Sequence, residues 1–121
     1  MSPKILAEFI TDSRGKPQYI EGKSRKHWRI RLLLRDAPSD VSRVTYTLDE
    51  SYRQPIREVP VGVPHFQEEI TSFGNYTVTA MLRRRAGTDV VTNSLAGALN
   101  ETYRDNPTPA VRDAIDQLQS D

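Results

Sequence analysis

Apolar and polar residues alternate along three segments of the chain. At 28–34 the apolar positions begin with Trp28 and are separated mostly by arginines, and the same period of two recurs at 43–48 and 76–82. A period of two with one apolar face is typical of a half-buried β-strand. The pattern therefore predicts three strands, and we expect the first two to pair or to face each other across the core.

The region between the second and third of these strands predicts a long loop. Residues 49–63 include Pro55, Pro60 and Gly62, each of which interrupts a sheet ladder. Only a short edge strand at 56–59 is expected within this loop.

Further strands are predicted near both ends of the alternating region. Residues 5–10 and 18–20 are candidates for edge strands on either side of a turn at 12–16. After a hairpin end at 83–88, residues 89–92 are expected to return as a strand. Several short strands separated by turn residues indicate a β-sandwich or a barrel.

Beyond residue 92 the pattern changes to that of two short helices. Asn93 or Ser94 can cap the first helix, which is expected to end before Asn106. Thr108 can cap the second, because Pro109 suits a first helical position. The apolar residues of the second helix recur at helical spacing, at Val111, Ala114, Ile115 and Leu118.

Composition limits the class of protein further. The chain has 121 residues and a net charge of +1, from 17 basic and 16 acidic residues. This length predicts one core, and this balance argues against a general field that attracts nucleic acid. Basic residues cluster at 23–31 and 83–85, where we expect a solvated strand face and hairpin end. No apolar run is long enough to span a bilayer, and the first residues lack the order of a signal peptide, so a cytoplasmic protein is expected.

Residue types and spacings argue against an active site. The chain has no cysteine, and its two histidines, His27 and His65, have no companion at metal-ligand spacing. Ser51 is not part of a GxSxG elbow, and Glu68 and Glu69 would point to opposite faces of a strand. We therefore predict no catalytic residue, no metal site and no cofactor, and keep an enzyme only as a residual alternative.

The order of features from residue 28 onward resembles that of the YEATS domain family. A tryptophan-led strand, WRIRLLLRD, is followed by VTYTL, then by LDESY, by PHF with two acidic residues, and by the aromatic-glycine turn SFGNY. The likeness covers roughly residues 22–95. It implies an all-β fold, an immunoglobulin-like β-sandwich of about eight strands, here with a short C-terminal helical segment.

The resemblance also implies a binding site. In the eukaryotic family, loops at one end of the sandwich form an aromatic slot in which the flat amide of an acylated lysine stacks between rings. By motif position the slot residues are Ser51 and Tyr52 in one loop and Phe73 with the Gly74 backbone in the other. Tyr52 and Phe73 would be the walls, and Ser51 would hydrogen-bond the amide oxygen.

The chain departs from the family pattern at three places around this slot. Asp49 stands where the family commonly has histidine, and a charged carboxylate within about 4–6 Å of the ligand would favour a cationic group. Ser72 precedes Phe73 where the family has glycine, and residues 24–27 supply no aromatic ahead of Trp28. Divergent YEATS-like domains occur in bacteria, and we expect a prokaryotic context of this kind.

These observations predict a YEATS-like sandwich at 1–95 and a helical extension at 96–121, packed on or beside it. The expected function is non-enzymatic recognition of an acylated lysine, or of a related planar or peptide ligand, at Asp49, Ser51, Tyr52, Phe73 and Gly74. The alternative is an adaptor that docks a partner protein through a sandwich face or the C-terminal helix and has no slot. The partner is thus a protein or peptide, and not a membrane or nucleic acid.

Overall fold

The computed structural model of the protein describes residues 2–120, which form two β-sheets and two helices. In chain order the elements are β1 (Lys4–Phe9), β2 (Tyr19–Glu21), β3 (Lys26–Arg35), β4 (Arg43–Thr47), β5 (Ile56–Pro60), β6 (Glu68–Ser72), β7 (Thr77–Arg84), β8 (Gly87–Ser94), α1 (Leu95–Thr102) and α2 (Pro109–Gln119). The predicted all-β class, with about eight strands and a short C-terminal helical segment, is confirmed.

All strand pairs are antiparallel, and each sheet contains four strands. In the first sheet, β3 is central and pairs with β1, β2 and β6. In the second sheet the order is β5-β4-β7-β8, so β5 is an edge strand as predicted. The first two predicted strands, β3 and β4, belong to different sheets and therefore do not pair, and both contribute buried residues to the same core.

Strands β1 and β2 form one interrupted edge along β3. The amide of Ile10 donates to the carbonyl of Arg29 at 3.0 Å, and the amide of Arg29 donates to the carbonyl of Gln18 at 3.0 Å. Between these bonds the chain leaves the sheet in a loop closed by a bridge between Thr11 and Pro17. The predicted pair of edge strands around a turn at 12–16 is confirmed.

The core lies between the sheets and continues under the helices. Along β3 and β4 every second residue is buried, as their alternation predicts. Tyr46 is fully buried, and its hydroxyl donates to the carbonyl of Phe66 at 2.8 Å, which ties the single 3₁₀ turn Pro64–Phe66 to the core. The buried residues of both sheets and both helices form one hydrophobic cluster.

The two helices begin where the sequence predicts. Ser94 accepts a hydrogen bond from the amide of Gly97, and Thr108 accepts one from the amide of Val111. The hydroxyl of Tyr103, just beyond α1, accepts from the amide of Phe9 at 2.9 Å and so holds this region against β1. A division of the chain at residue 95 stays a prediction. Within the described residues, neither helix is long and apolar enough to cross a membrane.

The β7–β8 hairpin is tighter than predicted. Strand β7 extends to Arg84 and β8 begins at Gly87, so the turn is shorter than the expected 83–88 and the last strand is longer than 89–92. Arg84 is not simply solvated, because its guanidinium lies 3.0 Å from carboxylate oxygens of both Asp40 and Asp89. Asp40 is distant from Arg84 in sequence, and Asp89 lies across the hairpin turn. The strand pattern alone therefore does not predict these ion pairs.

Candidate functional site

Two loops meet at one end of the sandwich, and Tyr52 connects them. The first loop joins β4 to β5 and the second joins β6 to β7. The Tyr52 hydroxyl donates to the carbonyl of Thr71 at 2.6 Å and accepts from the hydroxyl of Tyr76 at 2.8 Å. The two segments that the sequence analysis selected are therefore held together by a chain of hydrogen bonds.

Between these loops lies an open cleft of about 310 Å³. This volume is near the lower end of the range for small-ligand pockets, roughly 300–1,000 Å³. Its lining includes all five residues predicted from the sequence. The full set is His27, Asp49, Ser51, Tyr52, Thr71, Ser72, Phe73, Gly74, Asn75 and Tyr76.

Asp49 organises the first loop by accepting two hydrogen bonds on one oxygen. Its Oδ2 accepts from the backbone amide of Ser51 at 3.1 Å and from the Ser51 hydroxyl at 2.5 Å. These bonds, the hydroxyl bond foremost, lower the pKa of the Asp49 carboxyl below its ordinary value. Because a serine has one hydroxyl proton, Ser51 arranged in this way can accept a hydrogen bond from a ligand but has no proton left to donate.

The rings of Tyr52 and Tyr76 form a fixed, half-buried part of the cleft. Their centroids are 5.6 Å apart and their planes meet at 65°, the edge-to-face arrangement that aromatic pairs prefer. Burial raises the pKa of Tyr76, and the neighbouring Tyr52 raises it further. Tyr76 therefore stays protonated and keeps donating its hydrogen bond to Tyr52.

Phe73 forms the exposed wall of the cleft. Its side chain is 44% exposed, and its ring centroid lies 5.2 Å from that of His27 at an angle of 52°. The guanidinium of Arg25 lies 5.6 Å from the Phe73 centroid, within the range of a cation–π contact. Tyr52 and Phe73 thus line one cleft, as expected for its two walls, but each is held by a different aromatic neighbour.

His27 is a cleft residue that the sequence analysis did not select. It precedes Trp28 near the start of β3 and lines the cleft from that strand. A Cβ placed on Gly22 would lie 2.6 Å from the His27 Nε2, so the turn can approach this imidazole only because residue 22 is glycine. The imidazole supplies a ring beside Phe73 from within residues 24–27, the segment that was expected to offer no aromatic ahead of Trp28. The alternation of β3 indicates that His27 faces away from inward-facing Trp28, but it does not report the contact with Phe73.

Asn75 is the second residue that the sequence did not indicate. Its Oδ1 accepts from the backbone amide of Ala96 at 2.8 Å, in the first turn of α1. This bond leaves the side-chain NH₂ as the remaining polar group of Asn75 in the cleft, where it can donate. Only the folded arrangement brings residue 75 next to residue 96.

Ser72 fixes the aromatic-glycine turn. Its buried hydroxyl donates to the carbonyl of Gly74 at 2.7 Å and accepts from the Gly74 amide at 3.3 Å. The Gly74 backbone, which the family resemblance implies as a ligand contact, therefore lies in the cleft with its own amide already hydrogen-bonded.

The other polar residues considered from the sequence lie apart from each other. Glu68 pairs with Arg57 at 2.8 Å, whereas Glu69 lies 3.7 Å from the guanidinium of Arg31, so the two carboxylates do not converge. His65 lies in the 3₁₀ turn with a positive φ of 53°. Within residues 2–120, no three histidine, cysteine, aspartate or glutamate side chains are grouped closely enough to hold a metal ion.

Comparison with known proteins finds similarity at the level of structure. No protein-family model and no curated protein sequence matches the chain. A solved structure of the Yaf9 YEATS domain recognising an H3K122suc peptide superposes with a TM-score of 0.54 at 11% identity, over 75% of this chain and 67% of that one. The Yaf9 YEATS domain bound to H3K27ac gives a TM-score of 0.53 at 13% identity, over 75% and 66%.

A third structure, of the yeast AF-9 homolog protein Yaf9, gives a TM-score of 0.53 at 15% identity, over 77% of this chain and 65% of that one. The chain thus spans about two thirds of the length of these structures. At these identities the likeness concerns the fold, and the chain has the YEATS-like β-sandwich that its sequence motifs suggested.

Proposed function

We propose that this chain is a non-enzymatic recognition module that binds an acylated lysine side chain of a peptide in the cleft between the two loops. The observation that carries the proposal is the lining of the cleft, where the rings of His27, Tyr52 and Phe73 surround a small number of polar groups. Aromatic surface with a few placed donors and acceptors is typical of a ligand site. The YEATS-like fold adds support, because Yaf9 domains of this fold bind H3K27ac and recognise an H3K122suc peptide.

The polar groups of the cleft suit a secondary amide. Acylation removes the charge of lysine and leaves a planar amide with one N–H donor and one carbonyl acceptor. The Ser51 hydroxyl, whose proton is donated to Asp49, can accept from the amide N–H. The Oδ1 of Asn75 already accepts from the Ala96 amide, and the NH₂ of the same side chain can donate to the oxygen of the ligand amide. This pairing reverses the role first expected for Ser51, which was to donate to that oxygen.

Asp49 does not require a cationic ligand in this arrangement. Its Oδ2 is occupied by the backbone amide and hydroxyl of Ser51, which stabilise the negative charge locally. An unmodified lysine would also have to lose its hydration to lie between rings, although the nearby carboxylate would attract it. A comparison of acylated, methylated and unmodified lysine in one peptide sequence therefore tests the preference for a neutral planar group.

Chemical-shift mapping with an acetyl-lysine peptide tests the proposal. Amide and side-chain signals of Ser51, Phe73 and Asn75 should move on titration, and signals of Met81 on the outer face of β7 should not. The unmodified peptide should cause smaller shifts at the same positions. An unchanged cleft across acetyl, succinyl and longer acyl chains would contradict the proposal.

The adaptor alternative is supported by one exposed apolar pair on the second sheet. Met81 in β7 and Val90 in β8 are register partners, and they are 44% and 59% exposed. Neighbouring apolar residues on a sheet face can dock a partner protein. The adaptor hypothesis predicts that Met81→Glu abolishes partner binding while Phe73→Ala leaves it unchanged, and the recognition hypothesis predicts the opposite.

A further inference from the structure

A second groove adjoins the cleft, and Phe73 is part of both. This groove has a volume of about 360 Å³ and lies between the turn that enters β3 and the C-terminal end of α2. Its lining is Ser24, Arg25, Lys26, Trp28, Phe73, Gln117 and Ser120. A peptide whose acylated lysine entered the cleft could therefore continue past Phe73 into this groove.

Among residues 2–120, the charged residues that line the groove are basic. Arg25 and Lys26 both line it, and none of its described lining residues is acidic. The Lys26 ammonium lies 4.6 Å from the ring centroid of Tyr19 and 5.6 Å from that of Trp28. Two cation–π contacts thus hold this charge at a defined position at the edge of the groove.

Lys26 has no carboxylate partner within residues 2–120. This distinguishes it from Lys4 and Arg31, whose charged groups face carboxylates on neighbouring elements. A lysine that only covered apolar surface would also lie along rings. Lys26, however, lies in the groove beside the candidate ligand cleft. Its ammonium can therefore attract an anionic group of a peptide that is bound in the cleft.

We propose that the groove binds the carboxylate of an aspartate or glutamate that flanks the acylated lysine in the partner peptide. This inference rests on the proposed function, since the acylated lysine in the cleft fixes the register of the peptide. The preferred partner is an acidic segment, and a segment rich in lysine and arginine binds less well because it meets the positive charge of Lys26. The preference depends on ionic strength, as expected for partly exposed charges.

The test uses the full chain and fluorescently labelled peptides that carry one acetyl-lysine. Glutamate, glutamine or lysine is placed in turn at each flanking position on either side. At one of these positions the glutamate peptide should bind about two- to fivefold more tightly than its glutamine counterpart, the range of an exposed ion pair. The lysine peptide should bind more weakly than both.

Substitutions of Lys26 assign the preference to the groove. Lys26→Met keeps an unbranched side chain against Tyr19 and Trp28 and should remove the glutamate preference, whereas Lys26→Arg should retain it. Lys16→Met is the matched control, because Lys16 is an exposed lysine in the loop between β1 and β2 and the net charge changes equally. In this control the preference should persist.

Four results would overturn the inference. Equal binding of glutamate and glutamine peptides, with binding still lost in Phe73→Ala, would remove the acidic-flank preference and leave the proposed function intact. A glutamate preference that persists in Lys26→Met would show that a site other than this groove causes it. Lys26-dependent binding of a single-stranded oligonucleotide, without any glutamate preference, would assign the groove to phosphate. If no acetyl-lysine peptide binds at all, the proposed function and the inference fail together.

Discussion

The hydroxyl oxygen of Ser51 lies 2.5 Å from Oδ2 of Asp49, which also accepts the backbone amide of Ser51. The aspartate therefore shapes its own loop and determines the direction of the serine proton. In the sequence, Asp49 suggests a negative charge that faces a ligand. In the fold, its carboxylate accepts hydrogen bonds from Ser51. The chemistry of the cleft follows from this pair.

The first prediction concerns the ionisation of Asp49. Its folded pKa should lie below the ordinary value of 3.8, and Ser51→Ala should raise it, because the Ser51 hydroxyl is the largest cause of the lowering. A carboxyl with a lowered folded pKa stabilises the fold above its unfolded pKa, and this contribution is lost as the pH falls through the folded pKa. NMR titration of the carboxyl carbon measures the folded pKa of Asp49 in the unmodified protein and in Ser51→Ala.

Asp12 is the internal control for this titration. Its pKa is lowered by the backbone amides of Lys16 and Arg14 in a separate loop, so Ser51→Ala should leave it unchanged. An Asp49 pKa that does not respond to Ser51→Ala would contradict the assigned hydrogen bond.

The second prediction separates the two roles of Asn75. Asn75→Asp keeps an oxygen that can accept from the Ala96 amide but removes the NH₂ donor, so α1 should remain as stable as before or gain slightly from a negative charge at its first turn. Binding of an acetyl-lysine peptide should fall by about two- to twelvefold, the equivalent of one hydrogen bond. Thermal unfolding and calorimetry measure the two effects.

Asn75→Ala provides the comparison for this variant. It removes the acceptor of the Ala96 amide as well as the NH₂ donor, and should lower the free energy of unfolding by about 1 kcal/mol. Unchanged peptide affinity in Asn75→Asp would remove Asn75 from the binding site.

The third prediction concerns the turn before β3, where Gly22 lies against His27. In Gly22→Ala the new Cβ would lie 2.6 Å from the His27 Nε2 and 2.7 Å from the Arg25 carbonyl oxygen. Because the carbonyl belongs to the backbone, the turn itself must shift, and we expect a loss of about 1–3 kcal/mol in unfolding free energy. The ring signals of His27 and Phe73 should move in NMR spectra. Lys23→Ala, in the same turn, should change neither, and an unperturbed Gly22→Ala protein would contradict the close approach.

The fourth prediction concerns the hydroxyl of Tyr52. Tyr52→Phe leaves the Tyr76 hydroxyl and the Thr71 carbonyl without this partner in a half-buried site, so unfolding free energy should fall by about 1–3 kcal/mol. Chemical denaturation measures the loss. Tyr19→Phe is the control, because Tyr19 is 42% exposed and its ring contacts do not involve the hydroxyl.

A double variant sharpens this result. If Tyr76 donates to Tyr52, then Tyr52→Phe with Tyr76→Phe should cost less than the sum of the two single changes. Strictly additive losses would contradict a hydrogen bond between the two hydroxyls.

Local patterns were enough to predict most of the sheets. The strict alternation of β3, β4 and β7 reflects one buried and one exposed face, which is a property of each strand alone. The helix caps at Ser94 and Thr108 are equally local, since each side chain bonds to an amide three residues ahead. Alternation does not identify a strand's neighbour, so it does not assign β3 and β4 to different sheets.

The candidate site was predictable only in part. Tyr52 and Phe73 were found through motifs that resemble a family, and the fold brings them to one cleft. The roles of His27 and Asn75 depend on contacts that alternation and motifs do not report. His27 contacts the ring of Phe73, and Asn75 accepts from the amide of Ala96. The direction of the Ser51 proton likewise depends on the geometry of the loop and not on residue type.

Calorimetry of an acetyl-lysine peptide with Phe73→Ala and with Met81→Ala decides whether the cleft binds the acylated lysine. The two side chains are equally exposed, at 44% each, so both variants should fold as the unmodified protein does. We predict that the unmodified protein and Met81→Ala bind with the same affinity and that Phe73→Ala loses about tenfold or more, since an aromatic stacking partner contributes about 0.5–1.5 kcal/mol beyond its buried area. Equal binding by Phe73→Ala and Met81→Ala would contradict acyl-lysine binding in the cleft.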